Sequence, residues 1–365
     1  MSRVISIGTA VPSYQTNQVE ILEFMKQAYA DPLIARKLSV LFAHSGISTR
    51  NSVLPDFNVK DEAGFFQSAD GVPDVLERQD QFKLKVIPLA MAAIEDSFQA
   101  VHPVLDKKDV THLITVTCTG LYSPGIDTAI IHELSLRPDI MHTSVNFQGC
   151  NAAFPAMQMA DIIARSDEDA LVMVVCVELC TLHFQSKPAD DYLVSNTIFG
   201  DGAAVVLVTS DEQARKCKLA GFEIKGFYSW LLHQGKDLLG WNISPRAFEM
   251  ILDAALPELI GEHVETVLEK AFMHYKISRD QIQFWAVHPG GKRILDSFRK
   301  KIKLEREDLK YSYSVLDNHG NMSSPTILFV LQAIWKTHPK VGEKIVALGF
   351  GPGLSIDTAQ FHYVQ

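Results

Sequence analysis

The chain has 365 residues, 47% hydrophobic and 21% charged, with a net charge of −9. That composition suits a globular protein of one large domain or two packed halves. The acidic charge is spread without a long single-sign run, which excludes nucleic acid or an anionic membrane as the main partner; an anionic ligand must be held by a local basic cluster.

The amino-terminal run reaches Pro12 too soon for a signal peptide. The purest apolar run, Ala170 to Val177, is too short to span a bilayer. Cys118, Cys150, Cys176, Cys180 and Cys217 form neither a disulfide framework nor a zinc-binding spacing. These features predict a reduced, cytoplasmic protein with no membrane span. Residues 51–75 hold many Asp, Gly and Pro and read as an excursion. Val86, Leu89, Ala90, Ala93, Ile94 and Phe98 have helical spacing, with Pro88 marking a start or kink.

From here the chain repeats itself. Leu113 to Cys118 reads as a buried strand, being short, apolar and β-branched. About 34 residues after Val116 comes Cys150, then an apolar helical stretch to Ile163, then a second buried strand from Leu171 to Val177. In the second half Ile282 to Val287 is strand-like, Asn321 follows about 34 residues after Val287, and an apolar helix to Trp335 leads into Lys344 to Leu348. Pro155 and Pro325 fall near the first turns of their helices, where a missing N–H costs little. The expected fold class is therefore α/β: two pseudo-symmetric halves, residues 1–215 and 216–365, layered α-β-α-β-α around buried central helices. A pseudo-twofold would bring Cys150 and Asn321 together.

Cys150 lies in Asn146-Phe147-Gln148-Gly149-Cys150-Asn151-Ala152-Ala153. A thiol at a helix start meets the positive end of the dipole, which favours the thiolate, and Gly149 permits a tight turn. Cys118, Cys176 and Cys180 read as core thiols, although strand ends can line a pocket. His288, in Val287-His288-Pro289-Gly290-Gly291, sits at a strand exit, where α/β proteins place ligands. His319 reads as a loop residue. Asn321 is either an ordinary helix cap or a catalytic partner of Cys150. Asp201, in Phe199-Gly200-Asp201-Gly202, is a turn former or a functional acid. Gly349-Phe350-Gly351-Pro352-Gly353 lacks a following helix and is no dinucleotide loop.

Five motifs (the cysteine segment, FGDGAA, HPGG, GNMSS and GFGPG) stand in an order and spacing that resembles the type III polyketide synthases of the chalcone synthase family, over essentially the whole chain. The resemblance implies the thiolase fold and a Cys–His–Asn triad of Cys150, His288 and Asn321. It also implies a gating phenylalanine at Phe199 and a substrate pocket of Cys118, Thr119, Cys180, His183, Ser323, Gly351 and Pro352. Arg50 is the candidate for CoA phosphate, the family's basic stretch being thin here. The implied activity is decarboxylative Claisen condensation of an acyl-CoA starter with malonyl-CoA, needing no metal or redox cofactor, in a homodimer. Leu239-Gly240-Trp241-Asn242-Ile243, and Ser123 where plant enzymes carry a methionine, point towards microbial alkylresorcinol and alkylpyrone synthases. The competing readings are a ketosynthase III or hydroxymethylglutaryl-CoA synthase-like enzyme and, from another class, a Cys–His thioester hydrolase.

Overall fold

The computed structural model describes residues 1–57, 64–67 and 72–365. Its strands are β1 (Ser2–Ala10), β2 (Tyr14–Asn17), β3 (Thr49–Ser52), β4 (His112–Thr117), β5 (Met141–Asn146), β6 (Leu171–Leu179) and β7 (Asp201–Ser210). The second half adds β8 (Gly221–Leu231), β9 (Leu239–Ile243), β10 (Phe248–Leu252), β11 (Phe284–Val287), β12 (Lys344–Gly351) and β13 (Ser355–Val364). Nine of these form one sheet, in the order β11-β12-β13-β8-β1-β7-β6-β4-β5, while β2 pairs with β3 and β9 with β10.

The internal repeat is present in the sheet itself. Outward from β1 the pairings run antiparallel to β7, antiparallel to β6 and parallel to β4. Outward from β8 they run antiparallel to β13, antiparallel to β12 and parallel to β11. The two sets join where Ser2–Val4 meets Phe222–Ile224, and the first set has one more outer strand, β5, parallel to β4.

Strand β6 is buried along its whole length. Its alternate residues face two different layers, which is why its sequence is continuously apolar rather than alternating. Val172, Val174 and Cys176 pack on the central helices Ala153–Ser166 and Thr326–Trp335, which share one apolar core. Met173, Val175 and Val177 pack outward on the helix Val75–Gln99. On the other half, Val346, Leu348 and Ile356 meet the outer helices Leu256–Tyr275 and Lys292–Lys301. The order is thus helix, sheet, helix, sheet, helix.

Two local expectations change. The helix around Pro88 neither starts nor ends there; it begins at Val75 behind an Asp74–Glu77 capping box and runs through the proline. Pro88 is exposed, so the Leu84 carbonyl it leaves without an N–H faces the solvent side, and the buried stripe holds the helix. Of the excursion at 51–75, residues 58–63 and 68–71 lie outside the described residues, and Pro55–Phe57 and Phe65–Gln67 are short 3-10 turns.

Candidate active site

Between β5 and the helix Ala153–Ser166 the chain makes a sharp turn. Phe147 has φ +60° and Gly149 φ +79°, and Gly149–Asn151 closes a single 3-10 turn. A side chain at Gly149 would fail twice, because φ is left-handed and its Cβ would lie 2.5 Å from Pro352 Cδ. Gly351 is equally constrained: a Cβ there would sit 1.7 Å from Asn151 Oδ1. Asn151 in turn donates through Nδ2 to Asp357. Gly351 and Pro352, expected to touch substrate, instead press against the nucleophile turn. The GFGPG hairpin is a clamp that sets where Cys150 stands.

Asn321 comes from the equivalent point of the second half. It is no helix cap: Pro325 caps the helix Thr326–Trp335, while Asn321 forms a β-bridge with Phe199. Its N–H donates to Ile198 O at 2.8 Å, and its carbonyl accepts from Gly200 N at 3.0 Å. Inside the turn, Asn321 Oδ1 accepts from Ser323 N at 2.8 Å. That bond fixes the amide orientation and aims Nδ2 at Gly290 O, 3.3 Å away, and at Cys150 Sγ, 4.0 Å away across 171 residues of chain.

His288 follows β11 directly, held by its N–H on Leu348 O at 2.8 Å. The ring is buried beside Gly290, and among the described residues neither ring nitrogen has a hydrogen-bond partner. A buried imidazole with two unpaired nitrogens departs from the usual satisfaction of buried polar groups.

Burial dominates the electrostatics. It pushes the Cys150 thiol up to about 11, against the smaller lowering effects of Ser323 and Asn321. It pushes His288 down to about 3. The expected lowered thiol value is thus reversed at rest, since Cys150 is only 7% exposed and rides a short 3-10 turn rather than the α-helix start. Cys118, Cys176 and Cys180 are raised further by the same cause, consistent with inert thiols.

A narrow cleft opens at Cys118 and Ser323; Cys150, His288 and Asn321 are not among its lining residues. Cys118, Thr119, Cys180, His183, Phe199 and Ser323 all line it. His183 is a structural wall within it. Phe248 N donates to its Nδ1 at 3.1 Å, so Nε2 carries the proton and donates to Thr119 O at 2.8 Å. The ring stacks on Phe248 at 4.5 Å, and burial lowers its pKa to about 3. Trp241 closes the same wall by donating to Cys118 O at 2.5 Å.

Sequence reasoning passed over Trp241, Phe248 and Glu178 as site residues. Glu178 is the one carboxylate in the apolar β6 run, a signal that was available. It is fully buried, accepting from Cys118 N at 2.9 Å, Thr119 Oγ1 at 2.7 Å and Ser324 Oγ at 2.6 Å. Burial raises its pKa. Asp201 proves to be a strut, accepting from Val53 N, Thr181 N and Thr181 Oγ1 at 2.6–2.8 Å.

Arg50 lines the inner cleft rather than the outer surface. The guanidinium is buried, donating to Gln18 Oε1 at 3.0 Å and to Phe199 O at 2.5 Å. Desolvation lowers its pKa to about 9. The hairpin β2–β3 carries it inward, because Ser48 and Thr49 are tied to Asp317 and Asn318. The accessible cations lie elsewhere. A second cleft reaches outward from Gly290, rimmed by Lys292, Arg293 and His44.

Sheet order and central helices define the thiolase fold, with Cys150 and Asn321 brought together from its two halves. The domain models of chalcone and stilbene synthases match this chain, the N-terminal one over residues 1–212 and the C-terminal one over residues 228–365. The chain belongs to that family and is a type III polyketide synthase, an acyltransferase acting by decarboxylative condensation. It is 28% identical over 368 residues to a 3,5-dihydroxyphenylacetyl-CoA synthase of Streptomyces toyocaensis, covering 98% of this chain and 89% of that one. Among solved structures it resembles PKS-I of the brown alga Ectocarpus siliculosus, with TM-score 0.92, 27% identity and coverage of 100% and 98%. It also resembles the C-terminal type III domain of Steely1, a type I/III hybrid from Dictyostelium, with TM-score 0.91, 25% identity and coverage of 100% and 99%. These three lie outside the plants, in keeping with the expected nearness to microbial members.

Proposed function

We propose that Cys150 is the acyl carrier, that His288 serves it in loading, and that His288 and Asn321 together serve decarboxylation. The observation carrying this reading is the Asn321 amide, aimed at Cys150 Sγ from 4.0 Å by its bond to Ser323 N. In the first step the thiol proton passes to His288, and the two charges form together, so that attraction offsets part of the burial cost each would meet alone. The sulfur attacks the starter thioester, the C–S bond to CoA breaks, and the CoA thiolate leaves with a proton.

Malonyl-CoA then enters the same space. Loss of CO₂ leaves the C–C bonding pair as an enolate, whose oxygen is met by N–H donors from His288 and Asn321. Asn321 cannot titrate, so its donation is the same at any working pH. The enolate carbon attacks the acyl-Cys150 carbonyl and the sulfur leaves. Repeated rounds, then cyclisation, give a pyrone, resorcinol or related product. The CoA thioesters supply all the chemistry this sequence needs.

Lys292, Arg293 and His44 replace Arg50 as the CoA phosphate candidates, because they rim the cleft that ends at the Gly290 carbonyl bonded to Asn321. Phe199, lining the inner cleft while its neighbour Ile198 lines the outer, is the proposed gate. The homodimer reading is supported by β5, a sheet-edge strand with five of six residues exposed, and by Met141 and Leu121, 65% and 51% exposed. The halves 1–215 and 216–365 remain our proposed units. Five free cysteines support a cytoplasmic setting; separately, no helix among the described residues is long and apolar enough to cross a membrane.

The test is direct. Purified protein is given a panel of acyl-CoAs with malonyl-CoA, and products and protein adducts are read by mass spectrometry. Acyl-Cys150 and chain-extended lactones or resorcinols are expected. Release of free acid alone, without CO₂ from malonyl-CoA, would identify a hydrolase instead.

A further inference from the structure

The inner cleft does not end at the His183 wall. It continues to the helix Gln18–Tyr29, where Ile21, Met25, Phe57 and Phe184 give it apolar sides. Set into this extension is an amide that nothing in the fold uses. Gln185 is 4% exposed, and among the described residues neither its Nε2 nor its Oε1 has a hydrogen-bond partner. Its backbone is held, since Gln185 O accepts from Asn196 Nδ2 at 2.9 Å and from the Tyr29 hydroxyl at 3.3 Å. The side chain alone is left open.

Asn51 repeats the pattern on the same lining. It is also 4% exposed; its Nδ2 donates to Pro12 O at 2.9 Å, and its Oδ1 is unpartnered. Leaving a buried amide unpaired is costly, and native folds rarely do so without a ligand or water to complete it.

We infer that this extension seats the tail of the starter acyl group and that Gln185 selects a chain carrying a hydroxyl at its far end. The inference rests on the polyketide synthase reading with Cys150 as acyl carrier. A hydroxyl is both donor and acceptor, so it can give its proton to Gln185 Oε1 and accept from Nε2–H. A methyl terminus would leave both atoms unpaired. The apolar sides between Cys150 and Gln185 favour an aliphatic stem.

The test uses the purified enzyme and a ladder of saturated acyl-CoAs, each length supplied plain and ω-hydroxylated. Cys150 acylation and product formation with malonyl-CoA are followed by mass spectrometry. At one chain length the ω-hydroxylated starter is expected to exceed its plain partner in kcat/KM by on the order of 10- to 100-fold. Gln185→Met keeps the side chain's length and removes both hydrogen-bonding atoms, and should bring that ratio to about one or below. Acetyl-CoA, too short to reach Gln185, serves as the wild-type control. Polyketide from acetyl-CoA with no hydroxyl preference at any length overturns the inference and leaves the enzyme reading standing. A preference that survives in Gln185→Met overturns the assignment to Gln185. No acylation of Cys150 by any starter overturns the underlying reading instead. Should the variant fail to fold, the wild-type ladder alone decides.

Discussion

Replacing Asn321 with alanine separates the two half-reactions assigned to the site. The amide has two jobs at two different atoms. Nδ2 points at Cys150 Sγ and Gly290 O, where the enolate oxygen is proposed to form. Loss of one such donor is worth about 3–4 kcal/mol of transition-state stabilisation, or ~10²–10³ in the rate of CO₂ release from malonyl-CoA. Oδ1 accepts from Ser323 N at 2.8 Å and holds a turn in which Ser323 has φ +60°. Leaving that buried N–H unpaired costs about 1–3 kcal/mol, which should lower Tm by roughly 1–4 °C in a chain of this size. Starter loading should persist, because the attacking sulfur and His288 remain. Decarboxylation is assayed with carboxyl-labelled malonyl-CoA, loading by intact-protein mass spectrometry, and Tm by scanning fluorimetry, with kinetics taken well below the melting range. Asn321→Asp keeps the Oδ1 acceptor but sets a carboxylate oxygen where Nδ2 donated to Gly290 O and near the sulfur, so loading and decarboxylation should both fall. Wild-type CO₂ release in Asn321→Ala would refute the argument and reduce Asn321 to a turn residue.

Burial, as the largest cause, holds Cys150 near 11 and, as the sole cause, His288 near 3, so in the proposed mechanism a reactive thiolate at neutral pH depends on the two ionising as a pair. Wild-type iodoacetamide rates should plateau with a midpoint below the ordinary ~8.5, and His288→Ala should move the midpoint up towards about 11; a raised midpoint in the wild type would count against pairing. Cys118→Phe adds bulk beside Ser323, whose Oγ is 3.4 Å from Cys118 Sγ, and should shorten the accepted starter while acetyl-CoA still loads Cys150; an unchanged length profile would displace Cys118 from the pocket wall. Reversing both Lys292 and Arg293 to glutamate should raise KM for acyl-CoA on the order of 10-fold with little change in kcat, and an unchanged KM would remove them from the CoA mouth. Light scattering should give twice the 40.6 kDa chain mass, with Met141→Arg weakening association at the exposed edge of β5; a monomer at working concentration would rule out the dimer.

Some of this was legible in residue patterns because the causes are local. A strand covered on both faces must be apolar at every position, so β6 announces itself in Leu171–Val177. Cys150 and Asn321 occupy equal positions in the two copies of one unit, and equal positions in a pseudo-symmetric sheet end at one place. Cys118 and Cys180 follow immediately on β4 and β6, a position that reads equally as core or pocket wall, and the family resemblance rather than the strand exit assigned them to the pocket.

Properties that depend on distant neighbours were not legible. Arg50 reads as a surface cation because its own segment is polar, yet the Phe199 carbonyl and Gln18, from remote parts of the chain, draw it inward. Gly351 and Pro352 are a strand end and a loop in sequence, and only packing against Gly149 and Asn151 makes them a clamp. The thiol's resting state followed the same rule. A helix-start argument counts the dipole of one element, whereas desolvation is set by every layer around the sulfur and outweighs it. Sequence periodicity therefore carried the architecture and the approach of Cys150 and Asn321, since both follow from short-range apolar patterning. Charge states, the basic mouth at Lys292 and Arg293, and the unpaired Gln185 amide came only with the packed structure, because burial and hydrogen-bond satisfaction are sums over residues that adjoin only when the chain is folded.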